Sequence, residues 1–341
     1  GESGVGKSAL AQAFLDEAEQ LDGDTWVLRG RCYERESIPF NAFDALIDAL
    51  VLSLRQLPEA QLSAVLPPRA RGIAALFGAT DVVDLQWLVQ HNWLTPAQAQ
   101  AGMADRWTKR EALDLACDAF FQQVESAADS AMVKAYLKFL ENADFWLEDY
   151  VRFHAFRHNE QQRSWTEWPR GMRDRDPLVC DALAARLSNQ ITRLRFRQFV
   201  FDCQWRELRK YASDKGVLLF GDIPIYVHLE SADVWAHQQM FDLDEVGRPV
   251  TVTGVPPDYF CAEGQLWGNP QYNWQLMRDD GFQWWLQRFD SAAKQFDIAR
   301  IDHFRALQAY WEIPASATSA REGHWVEAPG RELLQAVRQH Y

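Results

Sequence analysis

Two short apolar runs that each close on an aspartate most constrain what this chain can fold into: GVLLFGD, Gly216 to Asp222, and FDIARID, Phe296 to Asp302. An unbroken apolar run such as Val217 to Phe220 reads as a parallel strand buried on both faces. Pro224 cannot donate to a continued ladder, so the first strand has to stop near Asp222. On the second strand side chains alternate, so Ile298, Arg300 and Asp302 share one face while Ile301 points away. Between the runs lie a long loop and the helix-like GFQWWLQRFDSAAKQF. Parallel strands joined by helical crossovers, with acids at their carboxyl ends, predict an α/β chain containing part of a (β/α)8 TIM barrel whose chemistry sits at that end.

Arg300 beside Asp302 supplies a fixed positive charge that would keep the carboxylate ionised and oriented. A carboxylate in that state is what a retaining glycosidase uses as nucleophile. An ordinary strand-end ion pair satisfies the same spacing, so spacing alone leaves both readings open.

The chain before these strands, from Val83 to about Lys210, is expected to be a large, mostly helical insertion, with Val133, Tyr136, Leu137 and Leu140 at helical spacing. The sequence holds 15 Trp, 20 Phe and 9 Tyr, most of them assigned to packing. Trp146 is expected in a helix-packing core. Trp165 and Trp168, beside Pro169 and Gly171, are left open between core and the exposed ring faces that hold flat, hydroxyl-rich ligands. A net charge of −13 argues against a nucleic-acid surface. The local cluster Arg193, Arg195 and Arg197 reads as a solvated or ion-paired helix face. No apolar run approaches the ~18 residues of a membrane span, and no signal peptide stands at the start. Cys32, Cys117, Cys180, Cys203 and Cys261 form no CxxC pair, which suggests a reduced, cytoplasmic setting. The histidines show no metal-site spacing, and no metal is expected.

The first residues pose a separate problem. Gly1-Glu2-Ser3-Gly4-Val5-Gly6-Lys7-Ser8 fits G-x4-G-K-S: Gly1, Gly4 and Gly6 would turn backbone N–H groups toward a phosphate, Lys7 would reach the outer phosphates and Ser8 the magnesium. ALAQAFLDEAEQ continues as a helix and TWVLRG as a strand. Residues 1–78, with GESGVGKSAL and LRGRCYERESIPFNAFDALIDAL, resemble the start of AAA-type P-loop ATPase modules of bacterial regulators. That resemblance implies ATP and magnesium in an intact module. The expected reading is a fragment of a P-loop α/β NTPase that does not work as a nucleotide switch, because the only acidic strand end, Asp222, belongs to the other fold.

Residues 81–341 resemble 4-α-glucanotransferases (amylomaltases, glycoside hydrolase family 77). The text that carries the resemblance includes FWLEDYVRFHAFR, FVFDCQWRELRKYA, GDIPIYV, GVPPDYFCAEGQLWGNPQYNW, RIDHFRALQAYWEIPA and GHWVEAPG. Departures are small: Ala306 stands where the family usually has Gly, and Cys261-Ala262-Glu263 fill a variable stretch. The resemblance implies Asp302 as nucleophile, Arg300 as its charge partner and His303 as a donor to the bound glucose. It further implies that Asp222 shapes the site, that Asp258, Tyr259 and Phe260 form a loop over the cleft, and that Gln265, Trp267 and Asn269 give contacts and walls. The implied reaction passes α-1,4-glucan chains between maltooligosaccharides with no cofactor. The family's general acid/base sits in a segment like AEDLG, which this sequence does not contain, and Glu312, Glu322, Glu327 and Glu332 match no such motif. The chain is therefore expected to be a family segment truncated at both ends, joined to the ATPase-like piece by gene assembly, and inactive as it stands. Trp267, Tyr272 and Trp274 would then be the residues left to hold a glucan.

Overall fold

The computed structural model describes residues 83–126, 130–259 and 261–341; the nucleotide-loop motif and the rest of residues 1–78, like Phe260, lie outside them. The described residues fall into two compact units, residues 83–126 with 197–219 and residues 130–196 with 220–341.

In the first unit the short helices start where side chains can satisfy their free N–H groups. The Asp84 carboxylate accepts from Gln86 N–H ahead of Leu85–Gln90, and Thr95 and Gln98 cap each other reciprocally ahead of Pro96–Gly102. The core beneath them is aromatic: Trp93 meets Phe120 edge-on at 5.0 Å, and Phe120 meets Phe199 at 5.9 Å. Each indole finds a polar partner, Trp87 on Glu207 at 2.9 Å and Trp93 on Gln123 at 2.8 Å. Arg197 pairs with Asp114 at 2.6 Å, as a paired helix face requires.

The second unit opens with the 29-residue helix Ala131–Asn159, whose N-cap is Ser130. Its inward side carries Phe153 and Phe156 into a cluster with Trp168 and Trp235, while Trp165 is buried alongside and donates from its indole to the Leu229 carbonyl at 2.7 Å. Both loop tryptophans are thus core, at 0% and 3% exposure. Trp146, expected in the core, is only half-buried, and Leu137 is exposed, because the helix buries a narrower stripe than its apolar content allows. Glu148 takes both Arg195 and Arg152, and Arg152 also reaches Asp181 at 2.8 Å.

The two aspartate-terminated runs do form a parallel pair: β1 (Phe220–Ile223) lies beside β4 (Ile298–Ile301), with Asp222 level with Arg300. The strand is shorter than the apolar run. Val217 and Leu218 precede it, and Leu218, Phe220 and Ile298 are 65%, 49% and 45% exposed, so the expected burial on both faces is not seen. Burial on both faces needs a covering layer on each side. Here the helix Gln283–Gln295, which buries Trp284, Trp285 and Leu286, packs against both strands of the pair. Among the described residues the parallel strands number two. The others form a four-stranded antiparallel sheet ordered β3-β2-β5-β6, made of β2 (Thr251–Val255), β3 (Gln265–Pro270), β5 (Ala309–Pro314) and β6 (His324–Glu327). Mixed α/β content stands, and the antiparallel sheet is an addition that the sequence reading did not foresee.

Gly221 explains how closely the crossover returns to β1. A Cβ there would lie 2.1 Å from the ring of Phe296, itself 4% exposed. Gly221→Ala is expected to lower stability by about 1–3 kcal/mol through overpacking, read as a drop in urea midpoint by far-UV circular dichroism. An unchanged midpoint would show that the ring can move aside.

Candidate active site

The site grows from the register of β1 against β4. Because Asp222 lies level with Arg300, the guanidinium reaches across the strands instead of along its own, and donates to both Asp222 oxygens, from Nε at 3.2 Å and from a terminal nitrogen. The same terminal nitrogen stands 3.5 Å from Asp302 Oδ1. Asp222 is therefore the closer partner of Arg300, an addition to the pairing with Asp302 expected from spacing, which is present as the longer contact. Asp302 keeps its place through the backbone: its N–H donates to the Ile223 carbonyl at 3.2 Å, one step beyond the strand. A carboxylate at a parallel strand's C-terminal end, held by backbone and flanked by a fork of donors, is well oriented for nucleophilic work.

Burial pushes the Asp222 carboxyl above its usual range, opposed by the Arg300 hydrogen bond and charge, while the Asp302 charge adds to the rise. His303 follows in the left-handed region at φ 46°, a conformation sparsely populated by residues with a side chain, and its ring stands edge-on to Trp267 at 5.0 Å.

Trp267 is supplied by β3. Alternation along that strand puts Gln265, Trp267 and Asn269 on its half-buried side and Leu266 and Gly268 on the exposed side. Trp267 Nε1 donates to Gln265 Oε1 at 2.8 Å, which fixes the indole plane. Asp258 and Tyr259 sit on the β2–β3 loop. Asp258 accepts from Cys261 N–H at 2.8 Å and donates its own N–H to the Cys261 carbonyl at 3.0 Å, leaving Tyr259 97% exposed beyond that clamp. Phe260 lies outside the described residues, as do Gly1, Gly4, Gly6, Lys7 and Ser8. Tyr272 and Trp274, expected as possible glucan contacts, are buried at 3% and 8% exposure and so serve packing. One participant was missed: Tyr226, in GDIPIYV, lies 6.2 Å from Trp267 and stacks on Tyr272 at 5.8 Å, extending a chain of rings inward from the site. Its position just after β1 was the available signal.

The strand-end acids, the shared arginine and the aromatic wall are those that the family resemblance assigns, and comparison with known proteins bears on the family itself. The model for glycoside hydrolase family 77, described as 4-alpha-glucanotransferase, matches residues 1–341. The chain belongs to this family. The 4-alpha-glucanotransferase of Thermus thermophilus is 41% identical over 219 residues, which is 64% of this chain and 44% of that protein. That of Streptococcus pneumoniae is 34% identical over 281 residues, 79% of this chain and 54% of its own length. An amylomaltase of Streptococcus agalactiae, solved in complex with acarbose, superposes with a TM-score of 0.71 at 30% identity, covering 78% of this chain and 55% of that one. The chain thus spans about half the length of the relatives it matches. The ATPase-like reading of residues 1–78 finds no support in these matches. No described helix is long and apolar enough to cross a membrane.

The Asp222–Arg300 pair carries a pH signature. Because the folded Asp222 holds its proton more tightly than the unfolded chain does, the native state binds more protons between the ordinary carboxylate range and the raised value. Asp222's contribution is therefore greatest at low pH, and stability falls as pH climbs through that window. Asp222→Asn is expected to flatten this part of a melting-temperature–pH profile; a profile parallel to that of the unaltered protein would contradict the assignment.

Proposed function

We propose that this family 77 chain carries the donor-side half of an α-1,4-glucan transfer site, with Asp302 as the attacking carboxylate. The observation that carries this reading is the Arg300 fork spanning Asp222 and Asp302 beside His303 and Trp267. Asp302 would attack the anomeric carbon of a glucosyl unit, forming a C1–O bond as the C1–O4 bond to the leaving glucan breaks. The leaving oxygen takes a proton from a second acid. The 4-hydroxyl of an incoming maltooligosaccharide then displaces Asp302, restoring the α linkage and returning that proton. Arg300 holds the two carboxylates apart and in place through both steps, and the Trp267 and His303 rings supply a wall that favours a sugar acceptor over water. The printed names of the relatives, and the sugar-analogue complex of the streptococcal amylomaltase, support the substrate class.

Of the four glutamates that match no acid/base motif, Glu312 lies 3.5 Å from His324, Glu332 is held by Arg278 at 2.6 Å, and Glu322 accepts from Thr318 N–H at 3.2 Å, so none of these three, nor Glu327, is assigned as the second acid. General acid catalysis contributes ~10²–10⁴-fold, so the 341-residue chain tested by itself is expected to leave maltotriose unconverted. A protein extended to the relatives' length is expected to give glucose plus a ladder of longer maltooligosaccharides, with Asp302→Asn lowering turnover at least about 10³-fold while glucan binding persists. A fluorinated glucosyl donor should label Asp302. Glucose without the ladder would indicate hydrolysis, and labelling elsewhere would overturn the assignment of the nucleophile.

A further inference from the structure

A second guanidinium stands on the helix that packs against β1 and β4. Arg288 follows Trp284 and Trp285 by four and three residues, so both indoles share its helix face. Its guanidinium carbon lies 4.7 Å from the Trp284 ring centroid and 4.5 Å from that of Trp285. Among the described residues it pairs with no carboxylate, although the protein is acidic. The ring faces take its charge and leave the planar fork free to donate at its edge. That edge donates to the Pro224 carbonyl, two residues beyond Asp222.

Three successive carbonyls at the end of β1 thus find donors on three different elements. The Ile223 carbonyl accepts from the Asp302 N–H at 3.2 Å, that of Pro224 from Arg288, and that of Ile225 from the Tyr272 hydroxyl at 2.6 Å. Beyond β1 the ladder supplies no donor for the last two, and side chains take its place. Burial pushes the Tyr272 hydroxyl above its ordinary range and the Arg288 charge opposes that rise, which sets the two donors side by side.

The nucleophile hangs from the first of these carbonyls. A swing of the Pro224–Ile225 segment would carry the Ile223 carbonyl with it, and so the Asp302 backbone. We propose that Arg288, assisted by Tyr272, is a positioning residue for Asp302: it clamps the backbone after β1 so that the Ile223 carbonyl receives the Asp302 N–H in one place. Packing alone accounts for a stem between two indoles; the donation to Pro224 is what ties the helix to the acids. The clamp rests on the geometry, and its importance for turnover rests on the function proposed above.

The first test is residue-resolved amide hydrogen exchange on the 341-residue chain. Arg288→Met, which keeps a flexible stem between the rings, and Tyr272→Phe, which removes a hydroxyl alone, are each expected to speed exchange at the Asp302 amide at least about tenfold. Amides within the helix Ala131–Asn159 should keep their rates. An unchanged Asp302 rate, or an acceleration shared by that helix, overturns the proposal, and Tyr272→Phe keeps the test decisive if Arg288→Met does not fold. The second test uses the protein extended to the relatives' length. Arg288→Met is expected to lower kcat for maltotriose, and the rate of Asp302 labelling by the fluorinated donor, about 10- to 100-fold, with KM within about twofold. Arg288→Lys, which returns one charged donor to the same place, should recover part of both. A raised KM at constant kcat overturns the proposal and assigns Arg288 to binding. If the unaltered extended protein transfers no glucan, the functional reading fails while the exchange result still decides the clamp.

Discussion

Everything at the candidate active site depends on one guanidinium. Arg300 joins β4 to β1 through Asp222 and leans on Asp302 with the same nitrogen, so strand register, acid spacing and local charge are set together. A lysine could not do this, because a single ammonium lacks the planar fork that addresses two carboxylates in fixed directions. The geometry also accounts for the opposed demands on Asp222. Burial disfavours its charge, Arg300 favours it, and the balance leaves the carboxyl raised. The pair serves as a rigid floor, and Asp302 stands on its edge, half-exposed and open to a ligand.

Much of this was legible in the residues. Two apolar runs ending in aspartate gave the parallel pair, because a strand terminating beside Pro224 and another at Asp302 have few alternatives. The specific text from Gly254 to Trp274 and RIDHFR gave the family. The arginine cluster at 193–197 is ion-paired at two of its members, Arg195 on Glu148 and Arg197 on Asp114, while Arg193 donates to Asn189 Oδ1 at 2.7 Å. What failed did so for physical reasons. The pairing of Arg300 with Asp222 went unread because alternation along a strand, which gave Asp302, is visible in sequence, whereas register between strands 78 residues apart is not. Trp165 and Trp168 were left undecided because loops are usually exposed; here a one-turn 3-10 helix and indole hydrogen bonds carry them inward. Tyr272 and Trp274 were credited to binding on residue type alone, and type says nothing about which way a ring faces. The antiparallel sheet went unseen because β3, QLWGNP, ends in Gly, Asn and Pro, residues that strands disfavour.

The aromatic content has two uses that composition cannot separate. Most rings close the cores, as Phe153, Trp168 and Trp235 do. A few are held outside the core by local hydrogen bonds: half-buried Trp267 by the Gln265 side chain, and exposed Tyr259 beside the Asp258–Cys261 turn.

The span of chain between Asp222 and Arg300 has a kinetic meaning. Seventy-eight residues separate them, so the pairing on which the site rests is among the least local contacts in the unit, while the capped helices before it need only neighbours in sequence. Closing so long a loop carries an entropic cost that is recovered only when the strands meet. Helical content is therefore expected to return before the β1–β4 pairing during refolding, with Asp302 placed only once the strands have met.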